Sequence, residues 1–215
     1  MLTVTVASGK GGTCKSTLTA ALAVTATKEA ERVALIDLNA DQSSLTNWWR
    51  RRGEPANPYL LTKLKDIRAD LRALASIGFA FCLIDTPPDE MKVIESAIKA
   101  SNAVVIPVRP SRVDIEAAAA IVGLCQDHRK PFGFLLAAVD TRPQFRALTN
   151  DALADLTKAT RGTDGQVLSS RLPYRREYIM AMADGKTGHE IDASLEREVA
   201  RIWAEVKGLK GSKHV

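Results

Sequence analysis

Residues 8–17 read SGKGGTCKST, between an apolar β-rich run, LTVTVA (2–7), and an Ala-, Leu- and Thr-rich stretch, TLTAALAVTATKEA (17–30). Gly9, Gly11 and Gly12 therefore lie between a strand and a helix, with Lys15, Ser16 and Thr17 at the helix start. The first backbone N–H groups of a helix have no partner within it and carry partial positive charge, so a glycine-rich turn feeding a helix can wrap an anionic phosphate. Lys15 would then reach the β- and γ-phosphates of a nucleotide, and the Ser16 hydroxyl would ligate Mg²⁺. One position departs from the pattern G-x-x-x-x-G-K-[ST]: Cys14 stands where the second glycine belongs. If the backbone there needs a positive φ, a side chain costs roughly 1–2 kcal/mol, which a tight nucleotide site tolerates. Cys14 is thus expected to be a tolerated variant; the alternatives are an impaired loop and a redox-active thiol made acidic by the helix N-terminus and the two lysines.

Outward from the loop, the pattern repeats. RVALID (32–37), FAFCLID (79–85), AVVIPV (103–108) and FGFLLAAV (132–139) are apolar at nearly every position, as strands covered on both faces are. Helical segments at 93–101, 113–128 and 148–160 separate or follow them. The expected fold is α/β, a doubly wound, mostly parallel sheet with its ligand at the C-terminal strand ends. With 215 residues, 46% hydrophobic and 26% charged, the chain is expected to form one domain over 1–206, followed by a flexible basic tail, KGLKGSKHV (207–215). A formal charge of +5 permits weak nonspecific contact with nucleic acid or acidic lipid. The N-terminus lacks a basic leader with an apolar core, and no run approaches the ~20 apolar residues of a membrane span, so a cytoplasmic location is expected. Cys14, Cys82 and Cys125 are too widely spaced for a disulfide framework or a zinc site, and the latter two sit in apolar runs as core residues.

A second lysine, Lys10, sits between Gly9 and Gly11, and KGGTCKST (10–17) resembles the deviant Walker A motif, KGGxGK[ST][ST], of the ParA/MinD superfamily of P-loop NTPases. RVALIDLNADQ (32–42) is similar to that family's second-strand motif, D-x-D-P-Q, and FAFCLIDTPPD (79–89) to its Walker B segment, hhhhDTPP. AVVIPVRPSRVDIEAA (103–118) resembles the strand-to-helix segment that follows, and the likeness as a whole runs from Leu2 to Trp203.

The resemblance implies an ATP or ADP site built from Gly9, Lys10, Gly11, Gly12, Thr13, Cys14, Lys15, Ser16 and Thr17, with Mg²⁺ held by Ser16 and Asp85. Lys10 would reach across a nucleotide-sandwich homodimer to the partner's phosphates. Asp37 matches the first carboxylate of the second-strand motif, but Asn39 occupies the place of the second, which in the family positions the attacking water. An amide cannot accept that water's proton. Asp41, just before Gln42, is expected to take over through a reshaped loop, the alternative being slow hydrolysis. Lys10, Lys15, Asp37 and Asp41 are therefore the implied catalytic group. AAVDTRP (137–143) and SSRLPYRREY (169–178) resemble the segments that flank adenine, implying Asp140, Arg142, Pro173 and Tyr174 at the base and ribose.

By the same resemblance the chain is a weak, Mg-dependent ATPase of the ParA type. Its ATP-bound dimer would bind DNA nonspecifically, associate with the nucleoid, and drive partition or positioning of a plasmid, chromosome or other cargo with a ParB-like partner. Backbone phosphates call for clustered basic residues; the candidates are Arg142, Arg146, Arg175, Arg176, Lys186, Arg197 and Arg201. Two alternatives stand beside this: a nonhydrolysing dimerisation switch, and a MinD-like ATPase cycling on membranes through the last helix, SLEREVARIWAEVKG (194–208). Leu195, Val199, Ile202, Trp203 and Val206 share one face of that helix, but mixed charges on the other favour packing on the sheet over lipid. In NWWRRRGEP (47–55), adjacent tryptophans point to different sides of a helix. One is expected to be buried and one partly exposed, with Arg50, Arg51 and Arg52 in solvent or against a partner.

Overall fold

The computed structural model describes residues 1–29, 32–39 and 43–209. Its strands are β1 (Leu2–Val6), β2 (Val33–Asp37), β3 (Tyr59–Leu60), β4 (Phe81–Asp85), β5 (Ala103–Val108), β6 (Phe132–Val139) and β7 (Gly165–Pro173). They form one parallel sheet in the order β3-β2-β4-β1-β5-β6-β7. From β1 the chain builds one edge, returns through β4 at the side of β1, and then crosses to build the other half. The reversal leaves a crevice above β1, where open α/β sheets bind ligands. There Val6 pairs with Asp85, and Asp85 with Asp37, so the ends of β1, β4 and β2 lie side by side.

The helices are α1 (Lys15–Ala26), α2 (Ser44–Arg51), α3 (Ile67–Ser76), α4 (Met91–Ala100), α5 (Arg112–Asp127), α6 (Arg146–Ala159), α7 (Arg176–Ala183), α8 (Gly188–Ile191) and α9 (Glu196–Lys207). Alternate strand residues serve opposite faces. Leu35, Leu83, Val105, Leu135 and Ala137 pack with α1, α2, α7 and α9. Val104, Ile106, Phe134 and Leu136 pack with α4, α5 and α6, while Ala34, Ile36, Cys82 and Ile84 pack with α3 and α4. Cys82 and Cys125 are core residues; burial pushes both thiols up, Cys125 to about 12.

Helix α1 is apolar all round, the mark of a core helix. Leu18 through Ala23 are each at most 1% exposed, and the Thr19 and Thr25 hydroxyls donate back to the carbonyls of Lys15 and Ala21 at 2.9 Å. Helix α9 lies along α1. Leu195, Val199, Ile202, Trp203 and Val206 are each at most 1% exposed, so the stripe faces the core and is not open to lipid. Lys28 pairs with Glu196 and Lys207 with Glu29, fastening the far end of α1 to α9. Among the described residues no helix is long and apolar enough to cross a membrane.

Two expectations are corrected. Both tryptophans of α2 are buried, because the helix is wedged between neighbours on two sides: the Trp48 Nε1–H donates to the Lys186 carbonyl at 2.8 Å and the Trp49 Nε1–H to the Pro58 carbonyl at 2.9 Å. Arg52 is only partly exposed, since its guanidinium forks onto Glu190 at 2.7 and 2.8 Å and lies over Trp48; Arg50 and Arg51 are exposed. Of the stretch 207–215, Lys207 ends α9 and Leu209 is buried over Gly133, and 210–215 lie outside the described residues.

Candidate functional site

The loop from Ala7 to Cys14 leaves β1 and turns directly into α1. Gly9 is there because nothing larger fits: a Cβ would stand 2.6 Å from the Ala117 carbonyl oxygen in α5. Gly12 has φ 74, and Cys14, the N-cap of α1, has φ 64 and ψ 24. Position 14 therefore does take the left-handed conformation that glycine favours, and the cysteine adopts it. Its side chain packs at the edge of the core, as does Met182 of α7. Burial raises the Cys14 thiol, the direction opposite to an acidified thiol, with the nearby Arg109 charge pulling the other way.

Gly11, Gly12, Thr13, Cys14, Lys15, Ser16 and Thr17 line a cavity of about 310 Å³, closed by Asn39, Ser44, Pro88 and Met182. Lys15 is buried inside it, and its ammonium donates to the Lys10 carbonyl at 3.2 Å. Burial lowers its pKa, and Asp85 and Asp89 oppose that. A desolvated cation under a ring of helix-start N–H groups is suited to phosphate oxygens.

Asp85, at the tip of β4, is fully buried and sits under Ser16, whose hydroxyl donates to its Oδ2 at 2.5 Å. Two bonds fix it: the Thr86 hydroxyl donates to the Val6 carbonyl at 3.0 Å, and the Leu38 N–H to the Asp85 carbonyl at 2.9 Å. Burial pushes the carboxyl up to about 7; the Ser16 bond pulls it down and the neighbouring Asp37 pushes it further up. Its Oδ1 is buried without a hydrogen-bond partner. A buried carboxylate oxygen left unsatisfied beside a hydroxyl fits a hard dication that takes its other ligands from phosphates and water. Among the described residues no cluster of three or more His, Cys, Asp or Glu side chains offers a self-sufficient metal site.

Asp37, at the end of β2, accepts three hydrogen bonds. Its Oδ1 accepts from the Asn39 N–H at 3.0 Å, and its Oδ2 from the Thr46 N–H and hydroxyl at 2.9 and 2.8 Å. The carboxylate thus anchors the first turn of α2. Asn39 is buried and faces the cavity, with its carbonyl accepting from the Ser43 N–H at 2.8 Å. Asp41 lies outside the described residues.

On the outer side of the loop, Lys10 is half-exposed and its ammonium stands 3.7 Å from Asp114 Oδ1. Asp114, near the start of α5, is buried and accepts from Arg109 Nε and Nη2 at 3.2 and 3.0 Å and from the Ser111 hydroxyl. Burial alone would raise its carboxyl, but these bonds and the two cations outweigh it and hold the carboxyl below its ordinary value. Neither Arg109 nor Asp114 was singled out from sequence; SRVD (111–114) carries only the spacing of a helix cap, which Ser111 and Asp114 do form.

The base-edge candidates are split. Asp140 and Pro173 line a second cleft, of about 370 Å³, with Arg146, Arg171 and Arg175. The Asp140 carboxylate is held by Arg142 at 2.6–3.0 Å, which depresses its pKa, and Tyr174 is 67% exposed. Of the basic candidates, the structure gathers Arg146 and Arg175 in this cleft, together with Arg171, which sequence reading passed over. Arg176, Lys186, Arg197 and Arg201 are exposed on α7, the α7–α8 turn and α9.

Residues 4–188 match the model of the CobQ/CobB/MinD/ParA nucleotide binding domain. No curated protein is similar enough in sequence to be matched. Among solved structures, apo McdA of Cyanothece is similar with a TM-score of 0.80 at 18% identity, over 97% of this chain and 100% of that one. The septum site-determining protein MinD of Pyrococcus horikoshii, complexed with Mg-ADP, gives 0.70 at 16% identity, over 97% and 96%. A ParA family ATPase of Chlorobium tepidum gives 0.71 at 14% identity, over 94% and 98%.

Proposed function

The chain belongs to the CobQ/CobB/MinD/ParA nucleotide-binding domain family, and from that membership we propose that it is a ParA-type, Mg-dependent ATPase. ATP closes it into a sandwich homodimer that holds DNA nonspecifically, and a ParB-like partner stimulates hydrolysis and release. Its work is the partition or positioning of a plasmid, a chromosome region or another cargo. The observation that carries this reading is the cavity itself, with Lys15 buried inside it and the Ser16 hydroxyl turned onto Oδ2 of the fully buried Asp85, whose Oδ1 has no hydrogen-bond partner.

In this mechanism the N–H groups of residues 11–17 and the Lys15 ammonium take the phosphates of the bound nucleotide, and Lys10 takes those of the partner's. Ser16 and Asp85 would hold Mg²⁺, and the ion would supply positive charge beside the nucleotide's phosphates. Asp37 or Asp41 orders the attacking water. Asp140 and Pro173, with Arg142 and Tyr174, meet the base and ribose. Arg176, Lys186, Arg197 and Arg201, exposed on α7, the α7–α8 turn and α9, meet backbone phosphates, whose contribution weakens as salt rises.

A gel shift on nonspecific DNA with ATP, with ADP and without nucleotide tests the reading. Salt-sensitive binding in ATP alone supports it, and equal binding in all three states overturns it. A second reading, a dimerising switch with little turnover, is favoured by one observation: the residue that lines the cavity at the place of the family's second aspartate is the amide Asn39. Absence of turnover with DNA and a cognate partner would establish that reading instead.

A further inference from the structure

Lys10 and Arg109 contend for one oxygen. Asp114 Oδ1 receives Arg109 Nη2 at 3.0 Å and Nε at 3.2 Å, and the Lys10 ammonium stands 3.7 Å from the same atom. The Asp114 side chain is 3% exposed, whereas those of Lys10 and Arg109 are 39% and 37% exposed. A carboxylate this deep needs a cation at all times; leaving one unpaired is strongly destabilising. Arg109 meets that need with two charge-assisted bonds from a preorganised fork, and the Ser111 hydroxyl serves the other oxygen. Lys10, beyond hydrogen-bond distance, adds only a long-range Coulomb contact. It is parked there rather than bonded there.

We infer that Arg109 is a positioning residue whose work is to keep Asp114 neutralised, so that Lys10 can leave the outer side of the phosphate loop for the partner's nucleotide at little cost. This rests on the ATP-sandwich reading given above. With Arg109 gone, Lys10 becomes the sole cation among the described residues within reach of a buried carboxylate and is captured by it, and dimerisation must first break that pair. Arg109 also lies against the loop it serves, since its Nη1 is 3.7 Å from the point a Gly12 Cβ would occupy.

The test is sedimentation analysis of full-length wild type, Arg109→Gln, Arg109→Lys, Asp114→Asn and the double variant Arg109→Gln/Asp114→Asn, each with Mg²⁺ and a nonhydrolysable ATP analogue. Thermal melts establish that each is folded. Arg109→Gln should weaken the dimer by about tenfold or more, the scale of a partly buried ion pair that must be broken. Adding Asp114→Asn in the same chain should restore it to within about threefold of wild type, because the neutral amide no longer captures Lys10. Arg109→Lys, which keeps a cation on Asp114, should stay near wild type. A merely structural role for Arg109 predicts the opposite order, with the double variant worse than either single one. An unchanged dimer in Arg109→Gln, a double variant no better than Arg109→Gln, or an Arg109→Lys as weak as Arg109→Gln each overturns the inference. A wild type that binds the analogue and stays monomeric overturns the sandwich reading, and this inference with it.

Discussion

Cys14→Gly separates a strained loop from an obstructed one. At φ 64 and ψ 24 the cysteine occupies left-handed backbone, where a Cβ costs about 1–2 kcal/mol. Glycine removes that cost and returns about 0.5–1 kcal/mol as extra freedom of the unfolded chain. It also gives up the packing of the Cys14 side chain at the core edge. The net is a gain of about 0–1 kcal/mol, or up to about 4 °C in Tm for a chain of this size. ATP affinity should move far less than a missing glycine suggests. The backbone already has the required conformation, so the N–H groups point the same way in both proteins, and a change within about threefold is expected. Urea denaturation reads the first quantity, and titration of a fluorescent ATP analogue in Mg²⁺ the second. Cys14→Ala serves as control, since it keeps the strained φ and removes only the sulfur. A gain in affinity beyond about tenfold, roughly 1.4 kcal/mol, refutes this reasoning and shows the thiol blocking the phosphate.

Gly9→Ala should be severe. Its Cβ would meet the Ala117 carbonyl oxygen at 2.6 Å, backbone against backbone; a loss of about 2 kcal/mol or more in urea denaturation is expected, with ATP binding at least about tenfold weaker. Glu190→Gln probes the ion pair with Arg52. Burial raises Glu190, but the Arg52 fork and the Thr187 bonds outweigh it and set the folded value below the ordinary 4.5. The stabilisation is therefore complete above 4.5 and is lost as pH falls through the lower folded value. Wild type should exceed the variant by about 1–2 kcal/mol near neutrality, and the gap should close in acid urea melts.

Sequence read best where a single physical demand dominates. Strands 103–108 and 132–139 have the observed limits because a strand covered on both faces must be apolar throughout. β7 escaped notice because GQVLSSRLP is an edge strand whose Ser and Arg side chains lean to solvent, and β3 because two residues make no pattern. The glycine-rich turn into α1 and the carboxylate at the β4 tip were legible as geometry, since a strand-to-helix turn and a strand-end acid are local features. The Trp48–Trp49 pair misled because α2 is covered on two sides, which no helical periodicity records. Asp114 and Arg109 were invisible for a related reason: a cap residue and a strand-end arginine acquire a shared task only when the fold lays α5 against Gly9.

The burial of α1 has a mechanical consequence. A helix pressed on every side, and clamped to α9 at its far end by Lys28–Glu196 and Lys207–Glu29, cannot slide or tilt without disturbing both layers of the core at once. It behaves as an anvil. Whatever strikes it at the loop end must be absorbed by lighter parts that rest on the sheet's rim: the Lys10 side chain, Asn39, Ser44, Pro88 and α7. Gain-of-function variants that alter switching should therefore map to that rim, and substitutions along α1 should register as lost stability instead.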